Sequence, residues 1–240
     1  MKTKIIAVTR PIDELNCSID EFVAYIARVS NPSNQNNHLT ADKLLRYLVK
    51  HKHWSPFEHC YVTFSIETTR DIGRQILRHR SFTFQEFSQR YADPTKDMWF
   101  ETREARLQDL KNRQNSVETD DQQLQELWAI TQKNVMIAAS AAYDWAINNG
   151  IAKEQARAVL PEGMTGSRMY MTGNLRSWIH YCQLRGANGT QKEHQEIAKN
   201  IWNQLVSYFP CLESIVVLDH IDTPPADELL AVTTEYLNDR

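Results

Sequence analysis

The chain has 240 residues, 42% of them hydrophobic, which suits one sizeable domain with an ordinary core. With 27 basic against 30 acidic residues the net charge is -3, which argues against a generally basic nucleic-acid coat and places any anion binding in a local cluster. Residues 1–10 carry lysines and a short alternating stretch, with no apolar run of signal-peptide or membrane-span length, so a soluble cytoplasmic protein with no membrane partner is expected.

Residues 4–8 (Lys-Ile-Ile-Ala-Val) predict an opening strand, and 19–29 carry apolar side chains at helical spacing. Residues 42–50 predict a second helix. A turn at Trp54-Ser55-Pro56 precedes 61–66, where β-formers alternate as in a strand, and this runs into a helix predicted over 69–79. The longest helical stretch is 117–149, with Leu124, Leu127, Ile130, Val135, Ala138, Ala142 and Trp145 recurring at threes and fours before Gly150 ends it. Thr190-Gln191-Lys192-Glu193 has capping-box spacing, and Ile197, Ile201 and Leu205 follow on one helical face. From Asp219 the sequence turns acidic and carries Pro224-Pro225, so one domain over 1–218 and an acidic C-terminal tail over 219–240 are expected. The polar stretches 31–37 and 112–121 are too short to be linkers. The expected fold class is α+β, a mixed or antiparallel sheet surrounded by helices including the long one. Cys17, Cys60, Cys182 and Cys211 contain no Cys-x-x-Cys pair, which fits reduced, mostly buried thiols.

In this near-neutral chain Arg74, Arg78, His79 and Arg80 gather at the end of a predicted helix, with Ser88 and Arg90 following. Guanidinium forks match phosphate oxygens, and each charged hydrogen bond contributes roughly 1.5–3 kcal/mol, so two or three suffice to hold a nucleotide phosphate. Gln75, Gln85 and Ser88 are interleaved as contacts for sugar or base. Spacing alone equally allows a helix end whose arginines offset the dipole and pair with Glu67, Asp71 or Glu86.

Arg78-His79-Arg80, seven residues and then Ser88 resemble the signature of the ThyX family of flavin-dependent thymidylate synthases. Four more segments are similar to that family in the same order across 27–197. They are Ala27-Arg28-Val29-Ser30, His53-Trp54-Ser55-Pro56-Phe57-Glu58-His59, Ala156-Arg157-Ala158-Val159-Leu160-Pro161, and Asn174-Leu175-Arg176 through Leu184-Arg185. The resemblance implies a ThyX-like fold and tightly bound FAD held by Ser30, Ser55, Arg78, His79, Arg80, Glu86, Asn174, Arg176 and His180, with His53 near the flavin ring. It implies deoxyuridine monophosphate (dUMP) on Gln75, Arg78, Glu86, Phe87, Ser88, Gln89, Arg90, Arg157 and Arg185. Local physics agrees in part: Asn174 suits an N-cap, Arg176 and His180 share one helical face, and Arg185 shares another stripe with Trp178 and Tyr181. The chain departs from the family at Gly189, where a histidine is frequent, and at His180, where asparagine is common.

Methylating carbon 5 of uracil requires electron density pushed from the O2/N3 side of the ring, and the developing enolate needs stabilising. The family assigns this to the arginine matching Arg185, a preorganised donor whose removal costs about 2.7–4 kcal/mol. By the same resemblance 5,10-methylenetetrahydrofolate supplies the methylene and FAD, reduced by NADPH, the hydride, so no protein nucleophile is required. Ser88 has no evident His/Asp partner and is assigned to substrate binding. A homotetramer with active sites at subunit interfaces is also implied.

Three other readings compete. Pro210-Cys211 echoes the cysteine-dependent thymidylate synthases, but Leu212 stands where they have histidine, and a buried structural thiol is the simpler account. His51, His53, His59 and Cys60 are metal-ligand types without a helical His-x-x-x-His pair, and no metal is expected. Phe82, Phe84 and Phe87 between the arginines suit an RNA-stacking patch, yet such aromatics are more often core residues and the chain is acidic, so no nucleic-acid partner is expected. His38, His194, His220, Trp99, Trp128 and Trp202 receive only core or surface roles.

Overall fold

A computed structural model describes residues 1–215. The tail expected over 219–240, the end of the domain expected over 1–218 and His220 lie outside the described residues.

Four antiparallel strands carry the fold, in the order β1 (Lys2–Val8), β2 (Tyr61–Thr69), β6 (Gly166–Asn174), β3 (Thr83–Glu86). The central pair runs from Tyr61 opposite Asn174 to Thr69 opposite Gly166. Alternation decides its faces: Val62, Phe64, Ile66, Met169 and Met171 point into the core, while Thr63 and Thr172 meet on the other side at 2.9 Å. Helices α1 (Ile19–Ala27), α2 (Ala41–Lys50), α7 (Leu175–Gly186), α8 (Lys192–Tyr208) and α9 (Cys211–Ile215) contribute buried residues to the same cluster. Trp178 of α7 donates from Nε1 to the Val62 carbonyl at 3.1 Å and packs on Phe64, so its one polar atom is satisfied inside the core. Ile197, Ile201 and Leu205 of α8 are fully buried, as their spacing predicts. Phe82 packs against β6 at Gly173, where a Cβ would come within 2.3 Å of the ring, so only glycine admits this contact.

Several boundaries move. Helix α1 ends at Ala27 and tightens into a 3₁₀ turn (Arg28–Ser30), where the buried Arg28 guanidinium donates to the Asn37 carbonyl and, at 2.8 Å, to Thr40 Oγ1. The helix expected over 69–79 is α3 (Arg70–Ile76), so Arg78, His79 and Arg80 sit in the turns leading to β3. Val117 is not helical: β4 (Arg106–Gln108) and β5 (Ser116–Glu118) form a hairpin, and α5 (Gln122–Asn148) starts after it, capped by Asp121, which accepts from the Leu124 N–H at 3.0 Å. The polar residues of 112–121 thus belong to a hairpin and a cap. Thr190 does not cap α8 either: the helix starts at Lys192 with Gln191 at the cap position and no side-chain cap bond, and Glu193 pairs with Arg106 instead.

Two short helices, α4 (Pro94–Asp97) and α6 (Lys153–Ala156), complete the described elements. Within its own chain α5 buries only Gln132, Ala139, Tyr143 and Ala146, and a small second core joins the last two to Ala156 and Leu160. Leu127, Ile130, Ile137 and Trp145 remain 55%, 54%, 69% and 64% exposed. None of the four cysteines forms a disulfide; Cys60, Cys182 and Cys211 are buried and Cys17 is half-buried.

Candidate active site

The basic cluster divides into neutralised and uncompensated members. Arg74 pairs with Glu86 at 2.9 Å, Arg70 reaches the same carboxylate at 3.7 Å, and Ser167 donates to it at 2.9 Å. Glu67 is taken by Arg168, and Asp71 by Arg103 at 2.7 Å. The acidic residues available near α3 are therefore already paired. Arg78 and Arg80, both exposed, have no carboxylate partner among the described residues. Ion pairing thus accounts for Arg74, while Arg78 and Arg80 remain candidates for binding an anion.

Helix α7 serves two sides of the site through two stripes. Asn174 caps it, accepting from the Ser177 N–H at 2.9 Å, as expected. On one stripe Arg176 pairs with Glu58, and the His180 ring meets Trp54 edge-on at 4.9 Å, so both lie beside the 3₁₀ segment Ser55–His59. Burial, then the Arg176 charge, lowers the pKa of His180. On the other stripe Arg185 donates from Nε to His79 Nε2 at 2.8 Å. Burial, then Arg185 itself, pushes His79 down to about 4, so this imidazole is neutral and carries its proton on Nδ1. The guanidinium is held by a neutral acceptor rather than a carboxylate, which fixes its plane without cancelling its charge.

Beyond β3, Phe87 donates its N–H to the Arg168 carbonyl at 2.8 Å and keeps the chain against β6. In the turn that follows, Ser88 Oγ accepts from the Arg90 N–H at 3.4 Å, and the buried Gln89 side chain has no partner for its Nε2. A buried amide donor left without a partner suits an oxygen-rich ligand such as a nucleotide or dinucleotide cofactor. Arg90 pairs with Glu154 at 3.1 Å and Lys153 donates to the Tyr91 carbonyl at 3.0 Å, so the segment carrying Arg157 is tied to this turn. Ser30 lies apart, lining a cavity of about 590 Å³ with Arg28, Asn34 and Tyr47, and His53 lies on the surface beside Tyr47 and His51. Neither makes a described hydrogen bond or ring contact with the 78–90 segment.

His194, expected only in a core or surface role, is buried completely on the apolar stripe of α8 and bonds to Tyr181 and Gln75. A histidine at i, i+3 and i+7 with Ile197 and Ile201 already signals a buried polar group that needs partners. Gln191, bonded to Gln75 at 2.8 Å, also lines a cavity of about 750 Å³ between the β4–β5 hairpin, the start of α5 and the α7–α8 connection. In that connection Gly189 has φ +93°, a conformation in which a histidine would be strained, which gives its departure from the family pattern a backbone cause.

The competing sites lose support. The buried Cys211 thiol donates to Asp20 at 3.0 Å, and burial and then that carboxylate raise its pKa far above the ordinary thiol range, which suppresses the nucleophilic thiolate. Burial pushes Cys60 up to about 12, and among the described residues no group of three His, Cys, Asp or Glu is arranged to hold a metal ion. Phe82 is buried against Trp178, not available for stacking on a base.

A family model described as "Thymidylate synthase complementing protein" matches residues 15–211. A probable flavin-dependent thymidylate synthase of Paramecium bursaria Chlorella virus 1 is 46% identical over 212 residues, covering 88% of this chain and 97% of its own. The flavin-dependent thymidylate synthase of Synechocystis sp. is 44% identical over 213 residues, 88% of this chain and 96% of its own. Among solved structures, the UMP/dUMP methylase PolB from Streptomyces cacaoi bound with 5-Br dUMP superposes with a TM-score of 0.74 at 25% identity, covering 93% of this chain and 97% of that one. Matched length and relatives agree: this chain belongs to the thymidylate synthase complementing protein family, the flavin-dependent thymidylate synthases.

Proposed function

We propose that the protein converts dUMP to dTMP by reductive methylation, with FAD as its flavin, 5,10-methylenetetrahydrofolate as carbon donor and NADPH as reductant. The observation that carries this reading is the Arg185 guanidinium, fixed through Nε by neutral His79 and left with both Nη groups for a substrate. C5 of uracil becomes nucleophilic only when negative charge develops on the O2/N3 side of the ring, and that density is spent as C5 bonds to the incoming methylene. A preoriented, uncompensated guanidinium stabilises that charge without reorganising. Arg90, Arg157, Gln75, Ser88, Gln89 and the Phe87–Arg90 backbone hold the nucleotide, and Arg78 shares its fork between nucleotide and cofactor phosphates. Ser30, His53, Ser55, Arg78, His79, Arg80, Glu86, Asn174, Arg176 and His180 hold the cofactor. Bound and reduced, the flavin supplies the hydride. Ser88 orders its own turn and needs no activation as a nucleophile.

The apolar residues that α5 leaves exposed support a homotetramer, and the lack of described contacts between Ser30 or His53 and the 78–90 segment supports active sites shared between subunits. Among the described residues no helix is long and apolar enough to cross a membrane, and the reading keeps the protein cytoplasmic. The test is a visible absorption spectrum of purified protein followed by tritium release from 5-labelled dUMP with the folate and NADPH. A yellow protein that releases tritium only with all three is expected; a colourless protein that takes up no flavin and ignores dUMP overturns the proposal.

A further inference from the structure

A row of hydrogen bonds that no proposed catalytic step uses runs from the core to Gln75. Tyr181 Oη lies 2.9 Å from His194 Nε2, His194 Nδ1 lies 3.3 Å from Gln75 Oε1, and Gln75 Nε2 donates to Gln191 Oε1 at 2.8 Å. Tyr181 and His194 are both almost wholly buried, so each of their polar hydrogens must be used within the protein. That requirement fixes every proton in the row. If His194 donated from Nε2, the phenolic hydrogen of Tyr181 would have no described acceptor. Tyr181 therefore donates, the single imidazole proton sits on Nδ1, and it goes to Gln75 Oε1. The carboxamide is left with its oxygen inward and its nitrogen outward, one N–H on Gln191 and the other unassigned. Burial, then the nearby Arg185, holds His194 down at about 3, which keeps the ring neutral and the row unambiguous.

We infer that Tyr181 and His194 are positioning residues that lock the Gln75 side chain with an amide N–H facing the nucleotide. An amide free to rotate by half a turn offers donor and acceptor indifferently; a locked one offers only a donor, which suits a carbonyl or phosphate oxygen of the substrate and preorganises the contact. The same Tyr181 ring packs edge-on to His79 at 4.8 Å, so one buried pair backs both the acceptor that holds Arg185 and the amide that holds the substrate. The inference rests on the proposed function for the identity of the nucleotide.

The test is dUMP affinity of the flavin-loaded protein by calorimetry, for wild type, His194→Leu, Gln75→Leu and the double variant, with dUMP KM and kcat measured alongside. His194→Leu is expected to weaken dUMP binding about tenfold, the loss typical of one hydrogen bond of roughly 1.4 kcal/mol, with kcat at saturating dUMP changing much less. The double variant should bind no worse than Gln75→Leu alone, and His194→Asn, whose amide N–H replaces Nδ1–H, should recover part of the loss. A folded His194→Leu protein that binds dUMP like wild type, or losses that multiply in the double variant, overturns the inference. Should His194→Leu not fold, Tyr181→Phe carries the test: about a threefold loss is expected, absent in the Gln75→Leu background, and an unchanged affinity overturns the inference equally. Wild-type protein that binds no dUMP at all refutes the functional reading itself, a result separable from a failure of the relay.

Discussion

Helices α8 and α5 carry similar apolar periodicity and meet different fates. Every apolar side chain on the α8 stripe from Ile197 to Val206 is buried against the sheet and α7, whereas α5 shows Leu127, Ile130, Ile137 and Trp145 to solvent. Placement is the cause: α8 buries its stripe in the main cluster with the sheet, whereas α5 contributes no residue to that cluster and reaches the chain through the small second core with Ala156 and Leu160. Apolar periodicity thus reports that a helix face needs a partner, and only the packing says whether the partner is in the same chain.

The widest separation between the two regions is expected in stability. Trp178→Ala should cost about 3–5 kcal/mol in urea denaturation, because it opens a cavity at the sheet and removes the bond to the Val62 carbonyl. Trp145→Ala should leave the fold far less affected, and equal losses at the two sites would break the contrast. Next comes the proposed chemistry of Arg185 on α7: Arg185→Ala should lower kcat by about 10²–10³ with flavin content retained. Near-normal turnover would remove the proposed role of Arg185. On α5 the expected change is in assembly, with Ile130→Asp plus Ile137→Asp shifting the protein to smaller species in sedimentation and lowering activity only as subunits separate. An undisturbed oligomer in that variant would leave the exposed face unexplained.

A smaller effect sharpens the contrast through pH. In the folded protein His194 and His79 titrate at about 3 and about 4, below their ordinary 6.5, so between those values the unfolded chain binds more protons. Stability is therefore fully present above about pH 6.5 and is lost as pH falls towards the folded values. The buried His194 sets a slope approaching 1.4 kcal/mol per pH unit, an order-of-magnitude figure of about one proton, and half-exposed His79 adds less. Melting temperatures taken from pH 7.5 down to 5 should fall in wild type and flatten in His194→Leu; an equal slope in both would place the effect elsewhere.

Much of the core half was legible from the residues. Alternation in 61–66 gave β2 and its buried face, the Ile197–Ile201–Leu205 spacing gave α8, and Asn174 gave the cap of α7. The Arg78-to-Ser88 signature pointed to the family, and around it the structure finds a carboxylate for Arg74 and, among the described residues, none for Arg78 or Arg80. Boundaries failed where a long-range contact outweighed a local preference: Glu193 left its predicted capping role for Arg106, and Val117 joined a hairpin instead of the helix.

Local propensity, face polarity and the order of charged segments depend on neighbours within a few residues, and the sequence by itself determined those. The meeting of His79 with Arg185, of Tyr181 and His194 with Gln75, and the exposure of α5 depend on how the sheet brings together segments about a hundred residues apart. Hydrogen bonds and burial act only at contact distance, so those pairings were decided by the tertiary structure alone.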